Sequence, residues 1–190
     1  DGDVIEVRGG VYRTSLVVKK SVTLEGVGNP VIDGGGVGTV VMLSAPQIVL
    51  RGFEIRHSGN EPDFDHSGII INASGVTVEN NRIYEVLFGI FIEKADNVIV
   101  RNNDITSKVK YDLGRKGDSI RVWYSQNALI EKNHLHESRD VVIWYSKNII
   151  VRDNIIETGR FAVHLMYSNG ARVERNLIHN NSVGIYTMYS

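Results

Sequence analysis

Gly117-Asp118-Ser119-Ile120-Arg121-Val122-Trp123-Tyr124-Ser125 opens a series that continues through Trp144-Tyr145-Ser146, Met166-Tyr167-Ser168 and Met188-Tyr189-Ser190. The four terminal triplets lie 21, 22 and 22 residues apart. No helical-hairpin repeat or propeller blade has that period, but one three-stranded turn of a parallel β-helix does. In such a coil, equivalent positions of successive turns stand about 4.8 Å apart, so a column of the repeat is a stripe on the molecule.

A second column has the same period. The segments ending in Asn81, Asn103, Asn133, Asn154 and Asn176 each carry apolar residues five and three places before the Asn, and Ile83, Ile105, Leu135, Ile156 or Ile178 two places after it. Alternate side chains therefore enter the coil, and the Asn falls at an inward-facing bend. Its amide can bond the backbone of its own turn and the copy in the next, which gives this ladder a structural role. The expected fold is all-β: a right-handed, single-stranded parallel β-helix with three strands and about 22 residues per turn, residues 1–190 forming one domain.

Composition sets limits. The 190 residues are 42% hydrophobic and 23% charged, ordinary values for a globular chain, and 19 Gly against 3 Pro suit many tight bends. A net charge of −1 argues against nucleic-acid binding, which needs basic patches to neutralise phosphates. No apolar run approaches the ~18 residues that cross a bilayer, so direct membrane insertion is not expected. With no cysteine, disulfides and thiolate metal sites are excluded. Asp1 begins inside a strand pattern and Ser190 stops inside the repeating triplet, so the sequence reads as trimmed at one or both ends.

Two insertions leave the coil at corresponding bends two turns apart: an acidic one at Ser58–His66 and a basic one at Ser107–Gly117. They are expected to lie on one face and pair through their charges. The repeating strand turns two columns outward. One holds Arg121, Val142, His164 and Tyr186; the other holds Trp123, Trp144, Met166 and Met188. A Trp and Met stripe on an outer wall marks a binding surface, with Arg121, Trp123, Trp144 and Tyr186 its candidate partner contacts. The alternation does not decide whether the Tyr of each triplet faces inward or sits on the bend.

His164 and Met166 share a face, and Met188 stands one turn from Met166, so an imidazole and two thioethers could converge on one ion. Such soft or borderline ligands select Cu(I) over Mg or Ca, although Met beside Trp also makes an adaptable protein contact. His134 and His136 alternate outward beside Asp104, Ile155, Thr106 and Glu157, and read as exposed histidines. A carbohydrate-active enzyme, a polyuronate lyase or epimerase, would draw on Asp63, Asp65 and His66, with Arg115 or Arg121 to stabilise charge. Asp118 and Asp140 flank strand starts, where acceptors for bend amides are expected.

The repeats at 117–125, 138–146 and 159–168, with Val7-Arg8-Gly9-Gly10-Val11-Tyr12 and Gly28-Asn29-Pro30-Val31-Ile32-Asp33-Gly34-Gly35-Gly36, resemble the NosD family of nitrous oxide reductase maturation proteins. The resemblance implies a periplasmic, non-enzymatic β-helix that receives copper from a lipoprotein donor. It also implies work with the membrane and ATPase subunits of an ABC transporter to deliver copper to apo nitrous oxide reductase. His164, Met166 and Met188 are then the preferred Cu(I) ligands.

Overall fold

Short runs rich in β-branched residues, most of them ended by a left-handed bend, wind this chain into a coil. The computed structural model describes residues 2–190. Three parallel sheets of eight strands each form the walls, so the molecule is a right-handed parallel β-helix of about eight turns. The first sheet runs from Asp3–Arg8 to Arg172–Glu174, the second from Val11–Arg13 to Leu177–His179, and the third from Leu16–Val18 to Val183–Met188. A 3-10 turn, Pro62–Phe64, lies in the acidic insertion.

Inward positions stack into aliphatic columns. On the second sheet Ile32, Ile55, Ile83, Ile105, Leu135, Ile156 and Ile178 are in register from turn to turn. On the third, Ile71, Ile92, Val122, Ile143 and Leu165 do the same. Most of these side chains are fully buried, and their packing is the main source of stability.

The Asn ladder holds the bend between the first and second sheets. Asn103 Nδ2 donates to the Val78 carbonyl and to Asn133 Oδ1, both at 3.0 Å, while its Oδ1 accepts the Asn81 backbone N–H at 3.0 Å. Asn133 and Asn154 repeat the pattern. Each ladder Asn follows a left-handed residue: Asn80, Asn102, Lys132, Asp153 and Arg175 have φ between 51° and 56°. Such a conformation is unfavourable for a residue with a Cβ, and the ladder's hydrogen bonds offset that cost. One turn before Asn80, Gly52 takes the place, at φ 80°, and approaches Gly26 so closely that a Cβ on Gly26 would lie 2.2 Å from the Gly52 carbonyl oxygen.

Near the start of the coil, burial would raise the Asp33 carboxyl. The Gly35 N–H, His57 and Arg56 at 2.9 to 3.0 Å outweigh it and lower the pKa from 3.8 to about 2. A carboxylate depressed on folding adds stability above its unfolded pKa and loses it as pH falls through the folded value. Asp33 is therefore expected to contribute about 2 kcal/mol above pH 4, lost between about pH 4 and 2. Denaturant unfolding of the protein and of Asp33→Asn should converge in that window; curves that stay parallel would remove Asp33 from the acid response.

Candidate functional site on the third sheet

The outer columns of the third sheet stand in the expected register. Arg121 pairs with Val142, Val142 with His164 and His164 with Tyr186; Trp123 pairs with Trp144, Trp144 with Met166 and Met166 with Met188. The register shifts at one point on this sheet. Asp140 pairs with Phe161 while Val142 pairs with His164, so strand Phe161–Met166 carries one extra residue. A bulge of this kind re-aims the side chains beside it.

Phe161 is thereby brought against the His164 column. Its ring stacks on Tyr186 at 5.0 Å, and both rings meet the His164 imidazole edge-on, at 5.0 and 5.2 Å. His164 is only 9% exposed, which corrects the expectation of an open imidazole on the wall. Burial pushes its pKa below the ordinary histidine value, against the pull of Asp140. Its Nδ1 is 3.9 Å from Asp140 Oδ2, too far for a hydrogen bond, and its buried Nε2 has no partner among the described residues. A neutral, desolvated imidazole with an unsatisfied nitrogen suits a borderline-soft ligand. Met166 and Met188, adjacent in register, are each partly buried.

Charge is concentrated near His164. Asp118 is 1% exposed; its Oδ2 accepts Arg121 Nε and Nη2 at 3.0 and 2.9 Å, and its Oδ1 accepts Arg139 Nε at 3.2 Å. Asp140, 2% exposed, accepts the Phe161 N–H at 3.0 Å and two bonds from Arg160. The reading of these aspartates as bend acceptors therefore holds for Asp140, while Asp118 acts as an anchor for guanidinium groups. Arg121 also donates to Asp65 Oδ1 at 2.7 Å and lies over the Phe88 ring at 4.2 Å. A residue expected at the partner surface thus has its guanidinium committed within the molecule.

The two insertions meet, but not through opposite charges. Lys108 Nζ donates to the Ser58 carbonyl at 2.8 Å, Asp65 pairs with Arg121, and Lys116 pairs with Glu137. The pairing of basic with acidic loop is corrected accordingly: the acidic loop finds Arg121 on strand Ile120–Trp123, and the basic loop finds Glu137 on the bend after strand His134–His136. Of the residues an enzyme would draw on, only Asp65 and Arg121 come together. The His66 ring accepts the Glu61 N–H at 3.2 Å, and Arg115 covers the Tyr111 ring in a separate groove.

Trp123 and Trp144 line a cleft of about 160 Å³ with Asp65, Phe91, Glu93 and Arg121. Lys94 Nζ lies 5.1 Å above the Trp123 ring, and the buried Trp144 Nε1–H has no acceptor among the described residues. The tyrosines of the triplets, undecided from sequence, stand on the bend. Tyr124, Tyr145, Tyr167 and Tyr189 have φ of 47° to 53° and stack at 4.8 to 5.0 Å in an exposed ladder. The triplet serine explains its period: Ser125 and Ser146 Oγ accept the backbone N–H of the preceding turn at 3.1 Å.

A parallel coil with one decorated wall defines the class, and the chain belongs to the right-handed β-helix family, whose model, described as right handed beta helix region, matches residues 13–113 and 48–190. Among curated relatives it is similar to the probable ABC transporter binding protein NosD of Pseudomonas aeruginosa, 26% identical over 133 residues, covering 69% of this chain and 31% of that protein. The protein of the same name from Stutzerimonas stutzeri is 25% identical over 133 residues, 69% of this chain and 30% of its own. The chain thus spans under a third of the length of either relative. Among solved structures, the GH136 lacto-N-biosidase of Eubacterium ramulus superposes with a TM-score of 0.63 at 13% identity, covering 92% of this chain and 50% of that one, a likeness of fold.

Proposed function

We propose that this β-helix is a copper-handling accessory protein, taking up Cu(I) on the outer wall of its third sheet and passing it on during maturation of nitrous oxide reductase. The observation that carries the reading is the buried, unpartnered His164 Nε2, on the strand whose Met166, two residues on, stands in register with Met188. An imidazole and two thioethers form a soft set with few ligands, suited to accepting a Cu(I) cargo and releasing it by ligand exchange. The similarity to proteins named as probable ABC transporter binding proteins supports work with an ABC transporter; the rest of the proposed setting is the periplasm, the transporter's membrane and ATPase subunits, a copper-donating lipoprotein, and apo nitrous oxide reductase as recipient. Trp123, Trp144 and Tyr186 flank the ligands and supply the docking surface, with Arg121 as its rigid edge.

Anaerobic competition against a chromophoric Cu(I) chelator tests this. About one Cu(I) per chain is expected, with affinity at least tenfold lower in the Met166→Leu/Met188→Leu double variant, whose volume and packing are conserved. Absence of uptake, or unchanged uptake by the double variant, would contradict the reading. The cleft formed by Asp65, Glu93, Arg121, Trp123 and Trp144 favours a second one, a sugar-active site in which indole faces hold a pyranose and a carboxylate acts as acid or base. Turnover of uronate oligosaccharides that is lost in Glu93→Gln would support that alternative, and absence of turnover would dismiss it.

A further inference from the structure

The second sheet carries its own cluster of ligating groups, on a wall that the copper reading does not use. His134 stands in register with Asp104 on one side and Ile155 on the other, and His136 with Thr106 and Glu157. Far from being isolated exposed histidines, both are half-buried, and their rings stack 4.1 Å apart. The contacts cross the register diagonally: His136 Nε2 lies 2.9 Å from Asp104 Oδ1, and His134 Nε2 lies 2.8 Å from Glu157 Oε1. His179, one turn further on, brings its Nδ1 to 3.6 Å from Glu157 Oε2.

We propose that Asp104, His134 and His136 form a site for a divalent transition ion of the Zn(II) class, with Glu157 and His179 orienting His134 from the adjacent turns. One ligand atom from each of the three lies within 4.8 Å of the other two. A tetrahedral zinc ion with bonds of about 2.0 to 2.1 Å sets neighbouring ligand atoms roughly 3.3 Å apart. The 2.9 Å between Asp104 and His136 is therefore close to the spacing an ion requires, and the ion would replace the proton the pair now shares. Imidazole nitrogen with carboxylate oxygen, and no sulfur, is a borderline donor set: it favours Zn(II) and its divalent neighbours over Cu(I), and over Ca(II) or Mg(II), which take oxygen ligands. Glu157 occupies the position of the carboxylate that commonly fixes a metal-bound histidine, and three protein ligands leave a fourth position open. All the side chains involved lie on the outer wall, so metal entry needs no opening of the coil.

Titration of the protein with Zn(II) alone, against a fluorescent zinc chelator, decides the matter. One equivalent per chain is expected to bind, with affinity at least tenfold weaker in His134→Ala and in Asp104→Asn, and zinc should raise the melting temperature of the parent protein but not of His134→Ala/His136→Ala. The Met166→Leu/Met188→Leu variant should bind zinc as the parent does, which separates this site from the third sheet and from the copper reading. A folded His134→Ala/His136→Ala protein, verified by its metal-free melt, that still binds zinc with parental affinity would overturn the proposal. So would a parent protein that takes up none.

Discussion

Asp118→Ala is expected to lower the stability of the protein by about 3 kcal/mol, because it removes the enclosed carboxylate on which two guanidinium groups converge and leaves Arg139 with Asp140 only at 3.9 Å and Arg121 with the more exposed Asp65. The Asp118 carboxylate receives both Arg121 and Arg139 and is almost wholly enclosed. Asp65 also binds Arg121, but its side chain is 39% exposed, and Asp65→Ala should cost at most about 1 kcal/mol. The contrast between the two variants in urea unfolding is the informative quantity. Equal losses would mean that the loop, not the buried carboxylate, fixes Arg121 against the third sheet.

Asn103→Ala is expected to cost about 2–5 kcal/mol, since it removes the acceptor of the Asn81 backbone N–H and the amide donor of the Val78 carbonyl inside the coil. It also removes two rungs of the side-chain ladder, to Asn81 and to Asn133. In a solenoid each turn contacts only its neighbours, so the damage should be local. Amide exchange is expected to quicken first in the strands around Val78, Val100 and Ile130, while those near Ile32 keep their protection. Uniform acceleration along the coil would show that the ladder acts on the whole fold rather than on its own bend.

The period, the inward columns, the Asn ladder and the outer register were all legible in the sequence, because apolar alternation and a fixed 21- or 22-residue spacing constrain the same positions independently. What was not legible depends on departures from that regularity. The extra residue in strand Phe161–Met166 leaves no compositional trace, yet it brings Phe161 against His164 and turns an open imidazole into a covered one. The Arg121–Asp65 contact joins residues 56 apart, through a loop whose path follows no repeat. At His134 and His136 the columns were read correctly, but alternation says nothing about diagonal contacts between neighbouring rows, and those create the cluster with Asp104 and Glu157. The place of the tyrosines was not decidable from sequence because a left-handed bend at a bulky residue goes against local preference; repetition with stacking between turns stabilises it.

In the proposed function Cu(I) meets sulfur and imidazole together on the outer wall of the third sheet. X-ray absorption at the copper edge of the Cu(I)-loaded protein tests it most directly. A low-coordinate ion with sulfur and nitrogen scatterers is expected, the sulfur contribution disappearing in Met166→Leu/Met188→Leu. A first shell of nitrogen and oxygen alone, unchanged in that variant, would contradict it.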